Sequence, residues 1–142
     1  MVLKNLTEAY IQQNERSFNI SIDLDKLVQD SIHPYLLIIK SLTEKYIRIT
    51  VYPVEKKNLV KLLIFSKQKD EKQFPKILEL LKNYEIIHTS GLIILENQIY
   101  YECYLNMDWE TKKYKELKTS LKQMKKILKL KFEKIKLKKR LN

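Results

Sequence analysis

The apolar residues of this chain follow two different periods, and the order in which the periods change constrains the fold more than any other feature. Residues 17–24 alternate strictly between polar and apolar side chains, which predicts a β-strand with one buried face. Residues 35–45 hold a denser apolar run directly after Pro34, which predicts a helix with the proline in its first turn. We therefore expect the fold to open with a strand and a helix.

The same reasoning predicts four further elements up to residue 88. An alternating segment at 47–52 predicts a strand, and the apolar run at 59–66 predicts its hairpin partner. Helical spacing returns at 70–84, and 85–88 predicts the next strand. This order of strand, helix, strand, strand, helix, strand is that of a ferredoxin-like α+β sandwich, with two helices on one face of an antiparallel sheet.

Two further strands and a helix follow these six elements. Strands are predicted at 91–95 and 99–105, and Gly91, the only glycine of the chain, is expected at a bend or bulge. Trp109–Lys126 has the spacing of a helix. The last residues, 127–142, fit either one long continuous helix or a final strand, and we prefer the strand because it completes a second β-α-β unit.

These elements divide the chain into three segments. Residues 1–16 are expected to form an N-terminal arm or a short helix, residues 17–108 the ferredoxin-like core, and residues 109–142 a basic helix with the alternative final strand. A length of 142 residues is typical of one domain with an appendage.

The net positive charge of the chain comes from its last 32 residues. The net charge is +11, but residues 1–110 hold 14 basic and 15 acidic residues, a balance of −1. Residues 111–142 hold 14 basic and 2 acidic residues, a balance of +12. A neutral body with a strongly basic end is typical of proteins that meet a polyanion, although a solvated lysine-rich surface fits the same composition.

The candidate nucleic-acid-binding residues are the cations of this basic end, together with one strand face. On the predicted strands, Arg48 and Tyr52 share a face with Tyr46, and Tyr100 shares a face with Tyr104, so these rings can stack on unpaired bases if they are exposed. Lysine acts as a point charge for phosphates, which predicts contact without sequence choice. The full candidate set is Arg48, Tyr52, Lys112, Lys113, Lys125, Lys126, Lys129, Lys131, Lys136, Lys138, Lys139 and Arg140.

The residue pattern does not favour catalysis. His33 and His88 lie in different elements, and neither has a carboxylate or serine at a relay spacing. A cluster of aspartates at 23–30 lacks the glycine of a calcium-binding loop. Cys103 is the only cysteine, so no internal disulfide forms and a reducing compartment is expected. We expect a cytoplasmic protein that is not an enzyme, with no metal, no cofactor and no membrane segment.

Four runs carry a resemblance to a known family. In chain order they are SFNISIDL, IHPYLLIIKSL, IRITVYPVEKKNLVKLLIFS and EIIHTSGLIIL. Together with the half-repeat that follows, over about residues 17–138, they resemble the ACT-like N-terminal sensory part of archaeal bacterio-opsin-activator-type transcription regulators. The resemblance implies a transcription-related regulator that senses a small molecule or a partner. Those regulators continue into a helix-turn-helix, which the sequence after Trp109 lacks, so no family site residue is carried over.

The sequence thus favours a non-enzymatic regulatory or adaptor domain that binds a small effector or a partner, and meets polyanions through its basic end. The alternative is a sequence-independent nucleic-acid- or ribosome-binding protein. The expected partners are nucleic acid or an acidic protein, a small-molecule effector, and a second copy of the chain joined through a sheet edge.

Overall fold

A computed structural model of the chain describes residues 9–22, 32–67, 72–124 and 129–138. The described residues form an α+β structure with two antiparallel sheets, of two and four strands, and two helices. The predicted α+β class is therefore confirmed. The elements in chain order are β1 Tyr35–Leu42, β2 Ile47–Val54, β3 Asn58–Lys67, α1 Phe74–Leu81, β4 Ile86–Leu95, β5 Gln98–Leu105, α2 Lys112–Lys122 and β6 Lys129–Lys136.

The helix predicted at 35–45 is wrong, because this segment is strand β1. Its side chains alternate: Leu37 and Ile39 are buried, whereas Ile38 between them is 57% exposed. Alternation of this kind is hidden when the exposed positions are apolar as well, because a dense apolar run then fits a helix equally well. Thr43 closes the turn that follows, since its hydroxyl donates to the carbonyl of Tyr46 at 2.9 Å.

The predicted hairpin between 47–52 and 59–66 is also wrong, although both strands exist. β2 pairs with β1 along its whole length, with Leu37 opposite Tyr52. β3 instead lies in the interior of the four-stranded sheet, between β5 and β6. All of β3 except Lys67 is buried or half-buried, which suits an interior strand and explains its nearly continuous apolar sequence.

The four-stranded sheet has the order β4-β5-β3-β6, and each neighbouring pair is antiparallel. The bulge expected at Gly91 is confirmed, because the register between β4 and β5 shifts between Thr89 and Leu92 and Gly91 has φ +70. The turn between β4 and β5 holds Glu96 and Asn97 at φ 50 and 63, the left-handed pair that favours a tight hairpin.

Both helices cover the same face of this sheet. α1 is shorter than the predicted 70–84 and holds Pro75 in its first turn, while α2 begins after Thr111, whose hydroxyl accepts from the Tyr114 amide. One buried core joins the helices to β3 and β5. Its most deeply buried side chains are Val60, Leu62, Ile64, Phe74, Ile77, Leu81, Ile99, Cys103, Leu105, Leu117 and Leu121.

The strand alternative for the basic end is confirmed over Lys129–Lys136, because β6 pairs with β3 with Phe132 opposite Leu62. Leu130 and Phe132 pack against the core, so this segment is part of the fold. The single long helix is therefore wrong: α2 ends at Lys122, ahead of the predicted Lys126. The three-segment division of the chain stays a prediction.

The predicted element order occurs further along the chain than expected. From β3 to β6 the described elements run strand, helix, strand, strand, helix, strand over residues 58–136. Its placement at 17–88 is wrong, because 35–45 is a strand and because 17–22 forms no strand among the described residues. Residues 9–16 likewise form no helix, and the remainder of the predicted first strand and of the arm, at 23–24 and 1–8, lies outside the described residues.

A second, smaller core joins the two sheets. Leu37, Ile39 and Val54 of the β1–β2 hairpin pack with Leu59 of β3. Half-buried Ile135 and Tyr104 border this contact. The hairpin therefore covers one end of the sheet face that lies opposite the helices, and it leaves the other end of that face open among the described residues.

Candidate nucleic-acid interface

The face of the four-stranded sheet opposite the helices, here called the outer face, is built from alternate residues of its strands. Since neighbours in a strand point to opposite sides, burial of Leu62 and Ile64 against the helices places Leu63 and Phe65 on the outer face. The same alternation places Tyr100 and Tyr104 of β5 there. The expectation that these two tyrosines share a face is consistent with this register.

One row of side chains crosses all four strands on this face, and we call it the aromatic row. Phe65 lies opposite Tyr100 on one side and opposite Lys129 on the other, and Ile93 lies opposite Tyr100 at the edge. The Phe65 and Tyr100 rings are stacked, with centroids 6.2 Å apart and planes at 24°. The Lys129 ammonium lies 5.8 Å from the Phe65 centroid. The row thus presents two near-parallel, stacked rings beside a cation.

Further lysines border the aromatic row. Lys131 lies two residues after Lys129 in β6, on the same face and opposite Leu63. Lys67 lies two residues after Phe65 in β3. Both are exposed, and neither has an ion-pair partner in the described part of the chain. With Lys129 they leave three uncompensated positive charges around two half-buried rings.

The acid of β5 on the outer face is already paired. Glu102 accepts from Lys61 at 2.9 Å, and Lys61 also lies 3.9 Å from Glu133. Burial alone lowers the pKa of Lys61, but the hydrogen bond to Glu102 and the neighbouring Tyr104 outweigh it, so the pKa stands above its usual value. Lys61 therefore stays charged and neutralises Glu102, which reduces the repulsion that an approaching phosphate would meet.

The other end of the outer face is occupied by the hairpin. Tyr52 and His88 Nδ1 share a hydrogen bond of 2.8 Å, and the His88 ring meets the Tyr104 ring edge-on at 6.1 Å. Burial raises the pKa of Tyr104. This places Tyr52, predicted as a nucleic-acid residue, inside a contact between the two sheets, and it gives His88 a structural partner.

The remaining predicted site residues do not gather at one surface. Arg48 donates to the Tyr46 hydroxyl at 3.4 Å near the hairpin turn. Lys112 and Lys113 begin α2 on the helix side of the sheet. Lys136 and Lys138 line a groove beside the hairpin. The predicted residues Lys125, Lys126, Lys139 and Arg140 lie outside the described residues.

The sequence reasoning found Lys129 and Lys131 but missed Phe65, Ile93 and Lys67. Only the pairing of β3 with β5 and β6 brings Phe65 between Tyr100 and Lys129. Phe65 stands in a continuous apolar run, where period alone does not say which face is free. The sequence signal that could have found Phe65 is its aromatic side chain, because aromatic residues on neighbouring strands often pair, as Phe65 does with Tyr100.

The other chemistry-bearing residues are held in structural roles. Burial raises the pKa of the Cys103 thiol to about 12, so it stays protonated at neutral pH. Two lysines on the helix side cover aromatic rings: Lys118 lies 5.5 Å from the Tyr114 centroid, and Lys134 lies 4.6 Å from that of Trp109. Among the described residues, no three His, Cys, Asp or Glu side chains come together as metal ligands. The aspartates of 23–30 lie outside that range.

Comparison of the chain with protein-family models, curated proteins and solved structures found no match. The resemblance to archaeal transcription regulators therefore stays a prediction. Within the described residues, neither helix has the length and apolar character needed to cross a membrane. The case for a function rests on this chain's own surfaces.

Proposed function

We propose that this chain is a non-enzymatic module that binds single-stranded nucleic acid on its outer face, with little sequence preference. The observation that carries the proposal is the aromatic row, in which stacked Phe65 and Tyr100 lie beside Lys129. Aromatic rings on an open sheet face stack with any unpaired base, while lysines hold the backbone as point charges. Of the two functions predicted from the sequence, this geometry favours the nucleic-acid alternative.

The charge of the surrounding surface supports the same proposal. The described residues from 111 to 138 hold ten lysines and two glutamates, a balance of +8. Three of these lysines turn toward aromatic rings, but Lys131, Lys136 and Lys138 have no ring or ion-pair partner in the described part of the chain. A polyanion that docks on the outer face meets Lys129 and Lys131 along β6, and its counterions are released.

A finer fold assignment accompanies the proposal. Residues 58–136 are proposed as a ferredoxin-like split β-α-β unit, and the support is the element order from β3 to β6 together with the sheet order β4-β5-β3-β6. Two helices on one face leave the other face available, which is the side that the proposal uses. The hairpin of β1 and β2 then limits the available area to one end.

The regulatory or adaptor function stays a proposal alongside this one, as does a cytoplasmic location. A regulatory domain needs an effector site. The surface suited to that purpose is a groove between β1 and the end of β6, which is separate from the aromatic row.

The partner proposed for the sheet edge is a second copy of the chain, joined through β4. This edge strand has no charged residue, and its last four residues, Leu92–Leu95, are 41–59% exposed. The opposite edge, β6, carries four lysines, which protect it against self-pairing. Pairing of two β4 strands would join the two outer faces, because Ile93 at this edge belongs to the aromatic row.

Fluorescence anisotropy with labelled oligothymidylate and oligouridylate tests the nucleic-acid proposal. Strands of about 20 nucleotides exceed the roughly 4–16 that single-strand-binding folds occupy. We expect both strands to bind more tightly than a duplex of equal length. The double variant Phe65→Leu/Tyr100→Leu keeps apolar bulk but removes the rings, and should lose about 1–3 kcal/mol for each stacked base.

The salt dependence tests the lysines separately. If Lys129 and Lys131 each contact one phosphate, the variant Lys129→Gln/Lys131→Gln should flatten the slope of log K against log salt by about 1.4, since each single-strand phosphate contributes about 0.7. The matched control Lys76→Gln/Lys115→Gln removes the same charge from exposed positions on the two helices and should leave the slope near that of the wild type. Absence of binding, or equal binding by the ring variant, would refute the proposal.

A further inference from the structure

A groove lies between the hairpin and the C-terminal strand, at the opposite end of β6 from Lys129. It has a volume of 440 Å³ and is lined by β1 and by the last residues of β6. The second core forms its floor, where Leu37 and Leu59 are buried and Ile135 is half-buried. Small-molecule pockets typically enclose about 300–1,000 Å³ and have apolar floors, so the size and the lining both suit a small ligand. We call this site the hairpin groove.

Lysines form the rim of the hairpin groove. Among the residues that the structure describes, five lysines line it and no acidic residue does. Lys56 is engaged, because it donates to Glu55 at 3.0 Å, and this hydrogen bond holds the pKa of Glu55 below its usual value. The other four are exposed and have no ion-pair partner among the described residues; they are Lys40, Lys57, Lys136 and Lys138.

The apolar floor and the lysine rim together determine which class of ligand fits the groove. Four uncompensated cations around a small apolar floor repel one another, and an anion relieves that repulsion. A fully polar anion would gain nothing from the buried leucines, whereas an uncharged apolar molecule would gain nothing from the lysines. We propose that the hairpin groove binds a small organic anion with an apolar body, namely a carboxylate or phosphate ester on an alkyl or aryl chain.

This site does not depend on the proposed nucleic-acid function. It uses none of the residues of the aromatic row, and it is formed by the contact between the hairpin and the four-stranded sheet. A ligand seated there bridges β1 and β6, so it should stabilise the folded chain by mass action.

Isothermal titration of the full chain with decanoate and with decyl phosphate, below the concentrations at which they form micelles, tests the inference. We expect at least one to bind with a stoichiometry of one per chain and to raise the melting temperature. Decanol has the alkyl chain without the charge, and inorganic phosphate has the charge without the alkyl chain. Both should bind at least tenfold more weakly than the organic anion. A response to decyl phosphate alone would assign the ligand to phosphate esters, and a response to decanoate alone would assign it to carboxylates.

Two variants separate the rim from the floor. Lys57→Glu/Lys136→Glu should weaken anion binding at least tenfold, whereas the charge-matched control Lys76→Glu/Lys115→Glu should leave it within about twofold. Ile38→Ser/Leu137→Ser replaces two exposed apolar residues of the groove, both more than half exposed, and should weaken anion binding without changing the fold.

Three results would overturn the inference: neither anion binds, decanol binds as tightly as decanoate, or both charge variants lose affinity equally. The variant Phe65→Leu/Tyr100→Leu should bind the anions normally. Loss of nucleic-acid binding and loss of anion binding are therefore distinguishable outcomes.

Discussion

Substitution of one leucine in α2 tests whether the basic end of the chain is part of the folded core. Leu117 is fully buried and lies in the same cluster as Leu62 of β3 and Phe74 of α1. Leu117→Ala removes its branched end and leaves a cavity that this packing cannot fully close. Such changes cost about 3–4 kcal/mol in well-packed cores. Because small domains are stable by only about 5–15 kcal/mol, the loss would be a large share of the total.

Urea unfolding followed by tryptophan fluorescence measures this loss. Trp109 is the only tryptophan, and it packs against the same cluster three residues before α2, so its emission reports directly on this region. We expect a clear fall in the urea midpoint and, in a thermal scan, a melting temperature lower by roughly 10 °C. Circular dichroism should show the strands and helices unfolding in the same transition as the tryptophan signal.

The control makes the same chemical change at an exposed position. Leu42 at the end of β1 is 77% exposed, so Leu42→Ala should change the stability by less than about 0.5 kcal/mol. If Leu117→Ala behaves like Leu42→Ala, α2 does not belong to the core. If α2 unfolds alone while the sheet signal persists, the basic end is an appendage and the structural argument fails.

Three further predictions concern single residues. Tyr52→Phe removes the hydrogen bond to His88 and should cost about 0.5–1.5 kcal/mol, measured by urea unfolding; an unchanged midpoint would mean that this bond does not hold the hairpin. Burial raises the pKa of the Cys103 thiol from 9.0 to about 12, so the folded chain keeps this proton at pH values where the unfolded chain has lost it. The stability should therefore fall as the pH rises from about 9 toward 12. Cys103→Ala should flatten that fall, which melting curves at several pH values will show; an equal slope in both proteins would contradict it. Ile94→Lys, at an edge position 52% exposed, should shift a dimer to monomer in light scattering, while Lys134→Ala on the other edge should not.

Local pattern predicted three features of the second half of the fold, although for the last of them a long helix fitted the same residues. The alternation in 99–105 predicted β5, the single glycine predicted the bulge in β4, and the alternating lysines predicted the final strand β6. In β6 lysines alternate with Leu130 and Phe132, so the period of the sequence is the period of burial.

The first half failed where that contrast is absent. In β1 the exposed positions are Ile38, Lys40, Ser41 and Leu42, so two apolar residues are exposed in the same strand as buried Leu37 and Ile39. A pattern of this kind does not distinguish a helix from a strand. Adjacency along the chain also favours β3 as the partner of β2, whereas β3 pairs with β5 and β6 in the interior of the four-stranded sheet.

The sequence by itself determined that the chain is α+β, that its positive charge lies at the end, and that Lys129 and Lys131 are candidate contacts. Only the tertiary structure placed Phe65 between Tyr100 and Lys129. Only the packing of the hairpin created a groove ringed by lysines from β1, from the loop between β2 and β3, and from the end of β6 and the residues after it. The reason is physical. Charge and period are properties of neighbouring residues, whereas both surfaces combine residues far apart in the chain, which come together only when strand pairing and apolar burial are satisfied at once.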